Sequence, residues 1–422
     1  MTLEIHNTMS RSLEPFRSLE PGRVKLFTCG PSVYRPPHVG NHRTFLFEDV
    51  LQKYLEFLGY RVIRVINMTD VEDKAVAEAN QKNVAVGELT RPVEKRFRLE
   101  AGLLNIKLPE FLPKSSTCVS QAVKIIKDLL AAGYAYEYDK DIFFDPLKFK
   151  GFGRLYGLDM GRWPSKRRRF RKDTYPGRRW NLGDFILWHG YRPKRDGSFF
   201  WETDLGRGRP AWNIQDPAII TEHLGWRIDI HCGGVDNLYR HHDYTIAVVE
   251  ALTGEPLAPY WLHGEHVLVE GAKMSKSKGN IVYLQDMLDR GYSPEHVRFY
   301  LIHPHYRSRL DLTWDRLAAS ARRLDRFRET VYALGIRLKG NGPEEPDAGE
   351  ADQDLISRFR RYMDSDLDVA GAWGSMECRL QEVLAAEREG RLSPAEVGRL
   401  RRALVRIDRV LGVIYPQRPP RP

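Results

Sequence analysis

Two short motifs contain residues that can act on phosphate groups. The first is HVGN at residues 38–41, and the second is KMSKSKGN at residues 273–280. A histidine that opens a helix can hold its imidazole, together with backbone N–H groups, against a phosphate at the positive helix end. A flexible loop rich in lysine can close over the same triphosphate as negative charge develops during a reaction. HVGN alone favours a loop histidine that is satisfied by solvent, whereas KMSKS is far more specific, and the two motifs in this order favour a phosphate site.

The residues around HVGN predict the elements that hold it. Residues 23–30 have the composition of a buried strand, residues 31–41 form a loop punctuated by Pro and Gly, and residues 43–60 have the period of an amphipathic helix. Residues 61–70 then predict a second strand. This order is typical of a βαβ unit in a parallel sheet, with the first motif at the start of the crossover helix.

The strand and helix pattern is interrupted and then resumes. Residues 226–234 predict a strand, residues 235–254 a loop and a helix, and residues 263–271 a strand that runs into the KMSKS loop. The predicted fold class is therefore α/β, with a parallel-sheet catalytic domain split by an insertion and followed by an all-α helical bundle. The predicted divisions are 1–88 for the first half of the catalytic domain, 89–225 for the insertion, 226–292 for the second half with the KMSKS loop, and 293–422 for the bundle.

The composition is that of a folded protein in a reducing compartment. Hydrophobic residues make up 42% of the 422 residues and charged residues 29%, a balance that excludes a disordered chain. No stretch approaches the ~20 apolar residues that span a membrane, and the N-terminus has no apolar run of signal-peptide length. Cys29, Cys118, Cys232 and Cys378 lie far apart and indicate no disulfide framework. A cytoplasmic location is expected.

Positive charge is concentrated in one segment. The chain carries a net charge of +10, which favours an anionic partner. Basic side chains cluster in residues 162–180, where the aromatic residues are Trp163, Phe170, Tyr175 and Trp180. The segment predicts contacts to nucleic acid through phosphates and stacked bases, and a solvated charged loop is the alternative.

Longer segments around the motifs resemble one family. Residues 27–74, FTCGPSVYRPPHVGNHRTFLFEDVLQKYLEFLGYRVIRVINMTDVEDK, are similar to the N-terminal region of cysteinyl-tRNA synthetases, which belong to the class I aminoacyl-tRNA synthetases. The segments GFGRLYG, DFILW, GRPAWNI, IDIHCGGVD, HHDYTIA and KMSKSKGN follow in the family's order. The resemblance extends from Leu3 to Tyr415 and implies a Rossmann-type catalytic domain whose two motifs bind ATP.

The resemblance also implies a two-step ligase reaction. The carboxylate of an amino acid, cysteine in this family, attacks the α-phosphate of ATP, and pyrophosphate leaves with Mg²⁺ on the phosphates. The aminoacyl-adenylate is then transferred to the 3′ end of a tRNA, and residues 162–180 are expected to contact the acceptor end. The family carries an anticodon-reading domain after the bundle, where this chain ends at Pro422. How the anticodon is read therefore stays open, and a monomer is the default expectation.

Two alternatives to this reaction remain. One is an amino-acid ligase with a small-molecule amine acceptor, similar to the cysteine ligase of mycothiol synthesis. The other is a paralogue that kept the fold and lost catalysis. The intact motifs argue against the second alternative, and the basic segment at residues 162–180 argues against the first.

Position by position, the resemblance implies two groups of site residues. The residues expected to bind ATP are His38, Gly40, Asn41, Gly234, Asp236, Lys273 and Lys276, of which His38, Asn41, Lys273 and Lys276 are expected to be catalytic. The residues expected to form the amino-acid pocket are Cys29, Thr69, Trp212 and His231. Asp236 follows a strand end, where a carboxylate can accept two ribose hydroxyl groups, and a helix N-cap is the alternative. A core position is the alternative for Trp212.

The resemblance is broken at the metal site. The family selects cysteine with a zinc ion held by two Cys, one His and one Glu, and this chain retains Cys29 and His241. Asp216 stands at the position of the family's second cysteine and could ligate through oxygen. Thr245 stands at the position of the glutamate and is not expected to ligate. Cys232 could supply the missing sulfur. The alternatives are a pocket without zinc, small buried thiols, and histidines satisfied by backbone or solvent.

Overall fold

The computed structural model describes residues 2–109, 112–159, 184–275, 278–336 and 350–415. The predicted basic segment at residues 162–180, with Trp163, Phe170, Tyr175 and Trp180, lies outside the described residues, and so does Lys276. Within the described part of the chain, no helix combines the length and apolar character needed to cross a membrane.

The described residues alternate between strands and helices in the first three quarters of the chain and are mainly helical afterwards. The strands are β1 (Glu4–Asn7), β2 (Ser12–Pro15), β3 (Arg23–Thr28), β4 (Arg61–Ile66), β5 (Ala135–Tyr138), β6 (Asp141–Phe144), β7 (Phe185–Gly190), β8 (Trp201–Thr203), β9 (Gly206–Pro210), β10 (Ile230–Gly234), β11 (Tyr260–Gly264), β12 (Val267–Val269), β13 (Ala272–Lys273) and β14 (Leu310–Leu312). The helices are α1 (Val39–Phe57), α2 (Asp73–Lys82), α3 (Val86–Leu103), α4 (Val119–Ala131), α5 (Pro193–Asp196), α6 (Trp212–His223), α7 (Asp243–Thr253), α8 (Leu284–Leu288), α9 (Pro294–Ile302), α10 (Trp314–Ala333), α11 (Gln353–Met363), α12 (Val369–Arg388) and α13 (Pro394–Leu411).

A parallel sheet with the strand order β11-β10-β3-β4 forms the centre of the fold and confirms the predicted α/β class. Helix α1 leads from β3 outward to β4, and α7 leads from β10 outward to β11. The crossover after β3 therefore leads to one edge of the sheet and the crossover after β10 leads to the other edge. A crevice at the carboxyl ends of such strands is where open α/β sheets bind ligands.

Alternate residues of the strands face two different hydrophobic clusters. Leu26 and Cys232 pack in the cluster that contains α1 and the helical bundle. Phe27, Cys29 and Trp261 pack in the second cluster, with α4, α6 and α7. Because neighbouring side chains of a strand point to opposite faces, a shift of one residue decides which face a functional group can reach.

The parallel sheet is interrupted by an insertion and followed by a helical region, as the predicted fold class has it. Between β4 and β10 lies an antiparallel sheet with the order β5-β6-β7-β9-β8, which the sequence pattern did not resolve because its strands are only three to six residues long. Helix α3 crosses the proposed boundary between residues 88 and 89. From α8 onward the described residues are almost entirely helical.

The predicted single strand at residues 263–271 is wrong. Strand β11 ends at Gly264, and β12 begins at Val267 in a separate sheet with the order β13-β12-β14. The buried Arg43 guanidinium donates to the backbone oxygens of Glu265 and His266 between the two strands. The Glu265 N–H donates to the Tyr306 carbonyl, and the His266 carbonyl accepts from the Leu310 N–H. The backbone after Gly264 therefore pairs with the segment that leads into β14 and leaves the parallel sheet.

Candidate functional site

The HVGN motif forms the start of α1. His38 is the N-cap residue, and its Nδ1 atom accepts a hydrogen bond from the Asn41 backbone N–H at 3.3 Å. The Asn41 side-chain oxygen accepts in return from the His38 N–H at 3.0 Å. This reciprocal pair is a capping box, in which each side chain satisfies a backbone donor of the first turn. The two predicted ATP ligands therefore also define where the helix begins.

The cap determines which ring nitrogen of His38 can meet a ligand. Since Nδ1 accepts from Asn41, a neutral His38 ring carries its proton on Nε2. Burial, with a smaller contribution from His42, lowers the pKa of His38 below its ordinary value. The ring is therefore neutral at pH 7 and presents an N–H donor beside the positive end of α1.

The two phosphate motifs meet although they are far apart in sequence. The Val39 N–H donates to the Val282 carbonyl at 3.0 Å, which ties the start of α1 to the segment after KMSKS. A Cβ atom added at Gly40 would lie 2.9 Å from Cε of Met274. Glycine at position 40 thus permits the second motif to approach the first, and both motifs border one region.

The KMSKS loop is shaped by Asn280. The Asn280 side-chain oxygen accepts from the Ser275 N–H at 2.9 Å, and its amide group donates to the Lys273 carbonyl at 3.3 Å. Lys273 lies at the end of β13 with an exposed side chain. The sequence predictions included Lys273 and missed the structural role of Asn280.

Gly234 and Asp236 lie at the carboxyl end of β10. Gly234 is the N-cap residue of a short 3₁₀ turn at Val235–Asn237, so Asp236 lies inside the turn and does not cap a helix. A Cβ atom at Gly234 would lie 2.5 Å from Oδ1 of Asp236. The carboxylate is exposed and acts electrostatically on His38. This placement excludes the N-cap alternative, and the ribose contact stays a prediction.

A cleft of about 540 Å³ opens beside HVGN. Its walls come from residues 31–41, from residues 71–74 and from Trp212 at the start of α6. The Trp212 side chain is 44% exposed, which excludes the core position considered from the sequence. One face of its ring stacks on His241 with a centroid distance of 4.1 Å. Trp212 therefore connects the cleft to the groups buried behind it.

Behind Trp212 lies a buried cluster of ligand-type side chains, Cys29, Asp216, His241 and His242. The Cys29 Sγ atom lies 3.0 Å from His242 Nε2 and 3.6 Å from Asp216 Oδ2. The same carboxylate oxygen lies 2.7 Å from His241 Nε2. One thiol, two imidazoles and one carboxylate are all ligand types that zinc accepts.

Asn67 holds the carboxylate of this cluster in place. Its amide nitrogen donates to Asp216 Oδ1 at 2.6 Å and to the Thr69 hydroxyl at 3.4 Å. Its amide oxygen accepts from the Gly30 N–H next to Cys29. Thr69 therefore joins the predicted pocket through Asn67, a residue that the sequence analysis did not assign.

Burial changes the protonation of the cluster. The pKa of the Cys29 thiol is raised well above its usual value by burial and by the neighbouring Asp216 carboxylate. Burial lowers the pKa of His242 far below its usual value, with the nearby His231 and His263 as further causes. Without a positive partner, this region therefore favours a neutral Cys29 thiol and a neutral His242 imidazole.

His231 lies deeper than the sequence predicted. Its ring is completely buried, stacks on Trp261 at 4.3 Å and meets the His242 ring at 4.4 Å. Neither ring nitrogen has a hydrogen-bond partner among the described residues. His231 thus supports His242 from behind and does not line the cleft.

Two sequence expectations about the cluster have clear outcomes. Cys232 cannot supply the missing sulfur, because its side chain packs on the α1 face with Glu48 and Arg64 as charged neighbours, opposite Cys29. The Thr245 hydroxyl donates to the His241 carbonyl at 3.1 Å, as expected of a residue that does not ligate. His242 was quoted in the HHDY segment without a ligand role, and the doubled histidine was the available signal for it.

Comparisons with known proteins agree with this geometry. The family model described as "tRNA synthetases class I (C) catalytic domain" matches residues 15–322. A cysteine--tRNA ligase from Chlamydia pneumoniae is 38% identical over 416 residues, covering 98% of this chain and 86% of the relative. A cysteine--tRNA ligase from Chlamydia caviae is 37% identical over 413 residues, with the same coverage of each chain.

Solved structures share the fold at low sequence identity. Methionyl-tRNA synthetase from Mycobacterium tuberculosis, in complex with methionyl-adenylate, has a TM-score of 0.61 and is 16% identical. The match covers 92% of this chain and 89% of that structure. It therefore supports the architecture over nearly the whole chain.

Proposed function

The chain belongs to the cysteinyl-tRNA synthetase family, and from this premise we propose that it activates cysteine with ATP and transfers the cysteinyl group to the 3′ end of a tRNA. It is an ATP-dependent ligase of class I. One observation carries the site assignment: HVGN and KMSKS meet beside a cleft whose wall residue Trp212 stacks on His241 of the buried thiol, histidine and carboxylate cluster.

In the proposed activation step, the nucleotide lies across the start of α1. The His38 Nε2–H and the positive helix end face the phosphates, and Lys273 with Lys276 neutralises charge on the departing pyrophosphate. Asp236 accepts the ribose hydroxyls, and Gly40 and Gly234 keep the backbone close to the nucleotide. The cysteine carboxylate attacks the α-phosphate, the bond from this phosphorus to the bridging oxygen breaks, and Mg²⁺ accompanies the phosphates.

In the proposed amino-acid pocket, Trp212 and Thr69 border the substrate, and Cys29, His241 and Asp216 provide zinc ligands. These groups combine the sulfur, nitrogen and oxygen ligand types that zinc uses, within a buried cluster. A bound zinc ion would accept the thiolate of the substrate, which distinguishes cysteine from serine because zinc binds sulfur strongly.

The proposed partner is the acceptor end of tRNA. The net charge of +10 and the family membership support this partner, and residues 162–180 are the proposed contact. Cysteinyl-tRNA made in this way would supply protein synthesis in the cytoplasm. The catalytic domain with its insertion and the helical bundle remain the proposed division of the chain, at the boundaries given above.

ATP–pyrophosphate exchange tests the activation step. We expect exchange with cysteine and at least 100-fold slower exchange with serine, which differs from cysteine only by oxygen in place of sulfur. Charging of tRNA tests the second step, with tRNA oxidised at its 3′ terminal ribose as the control that cannot accept. Absence of exchange with cysteine would contradict the proposal. Exchange without charging would refute tRNA as the acceptor and favour a small amine.

A further inference from the structure

The metal ligands of this chain are one residue short of the set that the family uses. Thr245 stands where the family has its glutamate, and its hydroxyl is engaged by the His241 carbonyl at 3.1 Å. The adjacent histidine, His242, instead directs Nε2 at Cys29 Sγ from 3.0 Å. We propose that His242 replaces residue 245 as the fourth ligand, so that Zn²⁺ binds to Cys29, Asp216, His241 and His242. This inference rests on the proposed function and deepens its amino-acid site.

The separations within the cluster are close to those of ligands around one zinc ion. Tetrahedral bonds of about 2.3 Å to sulfur and about 2.0 Å to nitrogen or oxygen place neighbouring ligand atoms roughly 3.3–3.6 Å apart. The observed separations are 3.0 Å from Cys29 to His242, 3.6 Å from Cys29 to Asp216, and 2.7 Å from Asp216 to His241. The ligand atoms of Cys29, His241 and His242 all lie within 4.8 Å of one another. Three of the four proposed ligands therefore already converge, and Asp216 joins them through its contacts with Cys29 and His241.

A chain of hydrogen bonds orients His242 as a metal ligand. His242 Nδ1 lies 2.8 Å from His263 Nε2, and His263 Nδ1 lies 2.9 Å from the Thr8 hydroxyl. If each ring donates from Nδ1 toward Thr8, the Nε2 lone pair of His242 faces Cys29 and is free to bind a cation. Metal-binding histidines typically have such a partner on the second nitrogen, which fixes the ring and its tautomer.

The two consecutive histidines lie in an irregular stretch of backbone. Leu238–His242 forms a π turn directly before α7, and the His241 and His242 rings lie 5.4 Å apart with planes inclined by only 34°. In a regular α-helix, adjacent side chains point about 100° apart around the axis and do not face one another. In this segment the two rings nonetheless lie close together, and π turns are frequent at functional sites.

Metal binding by cobalt tests the inference. The metal-free full-length protein is titrated with Co²⁺, and the thiolate-to-cobalt absorption band and the visible bands of four-coordinate cobalt are recorded. We expect one tight site per chain. His242→Ala should weaken cobalt binding at least 100-fold and change the visible bands. His263→Gln, which disturbs only the partner of His242, should weaken binding about 10- to 100-fold.

A second group of potential ligands provides the matched control. Cys118, Glu222 and His223 also lie within ligand distance of one another, but Glu222 is exposed. Cys118→Ala should retain the tight site and its spectrum. Circular dichroism of each metal-free variant separates loss of a ligand from loss of the fold. If a folded His242→Ala binds cobalt with unchanged affinity and spectrum, or if the wild type binds none, the inference is overturned.

A double variant tests the substitution directly. In His242→Ala/Thr245→Glu, the carboxylate that the family uses is restored while the proposed ligand is removed, and we expect recovery of at least tenfold in cobalt affinity over His242→Ala. Recovery in this folded double variant supports the exchange of ligands, and no recovery contradicts it. Cysteine-dependent exchange is measured in parallel. Exchange without metal would refute this inference alone, whereas metal binding without exchange would refute the proposed function alone.

Discussion

The two halves of the site are built differently. The nucleotide half consists of a helix start and an exposed loop, and its cap joins His38 to Asn41, only three residues away. The amino-acid half is buried, and Cys29 meets Asp216 and His242 across 187 and 213 residues of sequence. Charge that develops on a phosphate is stabilised by cations that can close over it, whereas discrimination of a thiol needs a dry, prearranged set of ligands. Mutations in the two halves should therefore have different consequences.

Lys273→Ala should have the largest effect of these variants, and this effect should be confined to the rate of catalysis. Removing a cation that stabilises transition-state charge is expected to lower the exchange rate about 10²–10³-fold. The free energy of unfolding should change by less than about 0.5 kcal/mol, because the side chain is exposed. Lys127→Ala, an exposed lysine paired with Asp204, is the control and should leave the rate unchanged. If Lys273→Ala lowers the exchange rate less than threefold, Lys273 does not act on the nucleotide.

Asn67→Ala should show the opposite pattern. It removes the donor to Oδ1 of the buried Asp216 carboxylate and the acceptor of the Gly30 N–H, which is expected to cost about 1–3 kcal/mol of unfolding free energy in chemical denaturation. The Michaelis constant for ATP should stay within about twofold. Asn80→Ala removes an exposed amide that donates to the Arg195 carbonyl and should change stability little. Equal stability of the two variants would argue against Asn67 as the support of the carboxylate.

His38 can be used to separate helix capping from catalysis. His38→Asn retains an oxygen that can accept from the Asn41 N–H, so stability should change little, but it removes the Nε2 donor. Loss of one hydrogen bond to a charged oxygen, about 1.5 kcal/mol, should slow exchange roughly tenfold. His38→Ala should lose the same activity and about 1 kcal/mol of stability as well. If His38→Asn retains full activity, the ring acts only as a cap.

The smallest expected effect is the contribution of His38 to the free energy of unfolding below pH 7. Because the pKa of His38 is lowered in the folded protein, the unfolded chain binds a proton there at higher pH. The contribution of His38 to the free energy of unfolding is thus complete above the ordinary histidine pKa of about 6.5. This contribution is lost as the pH falls through the lowered pKa of His38 in the folded protein. Between pH 7 and pH 5 the wild type should lose less than about 1 kcal/mol more than His38→Asn. Parallel stability profiles of the two proteins would contradict this assignment.

The fold was predictable where hydrophobic residues recur with a clear helix or strand period. The βαβ unit around HVGN was predicted as strand, loop, helix and strand, and β3, α1 and β4 confirm it. The sheet of the insertion and the break between β11 and β12 were missed. Short strands offer too few residues for an alternation to be recognised, and the backbone partners of Glu265 and His266, which follow β11, come from residues 306–310 in a later part of the chain.

The sequence by itself determined the α/β class, the family and the nucleotide motifs. The reason is that a helix cap and a lysine-rich loop depend on residues close together in the chain. Only the tertiary structure decided which ligand-type side chains meet. Strand alternation turned Cys232 away from Cys29, His242 at the end of a π turn lies beside Cys29, and Asn67 fixed Asp216 from another strand end. These choices follow from which face of a sheet or helix a side chain occupies, and residue identity alone does not encode that face.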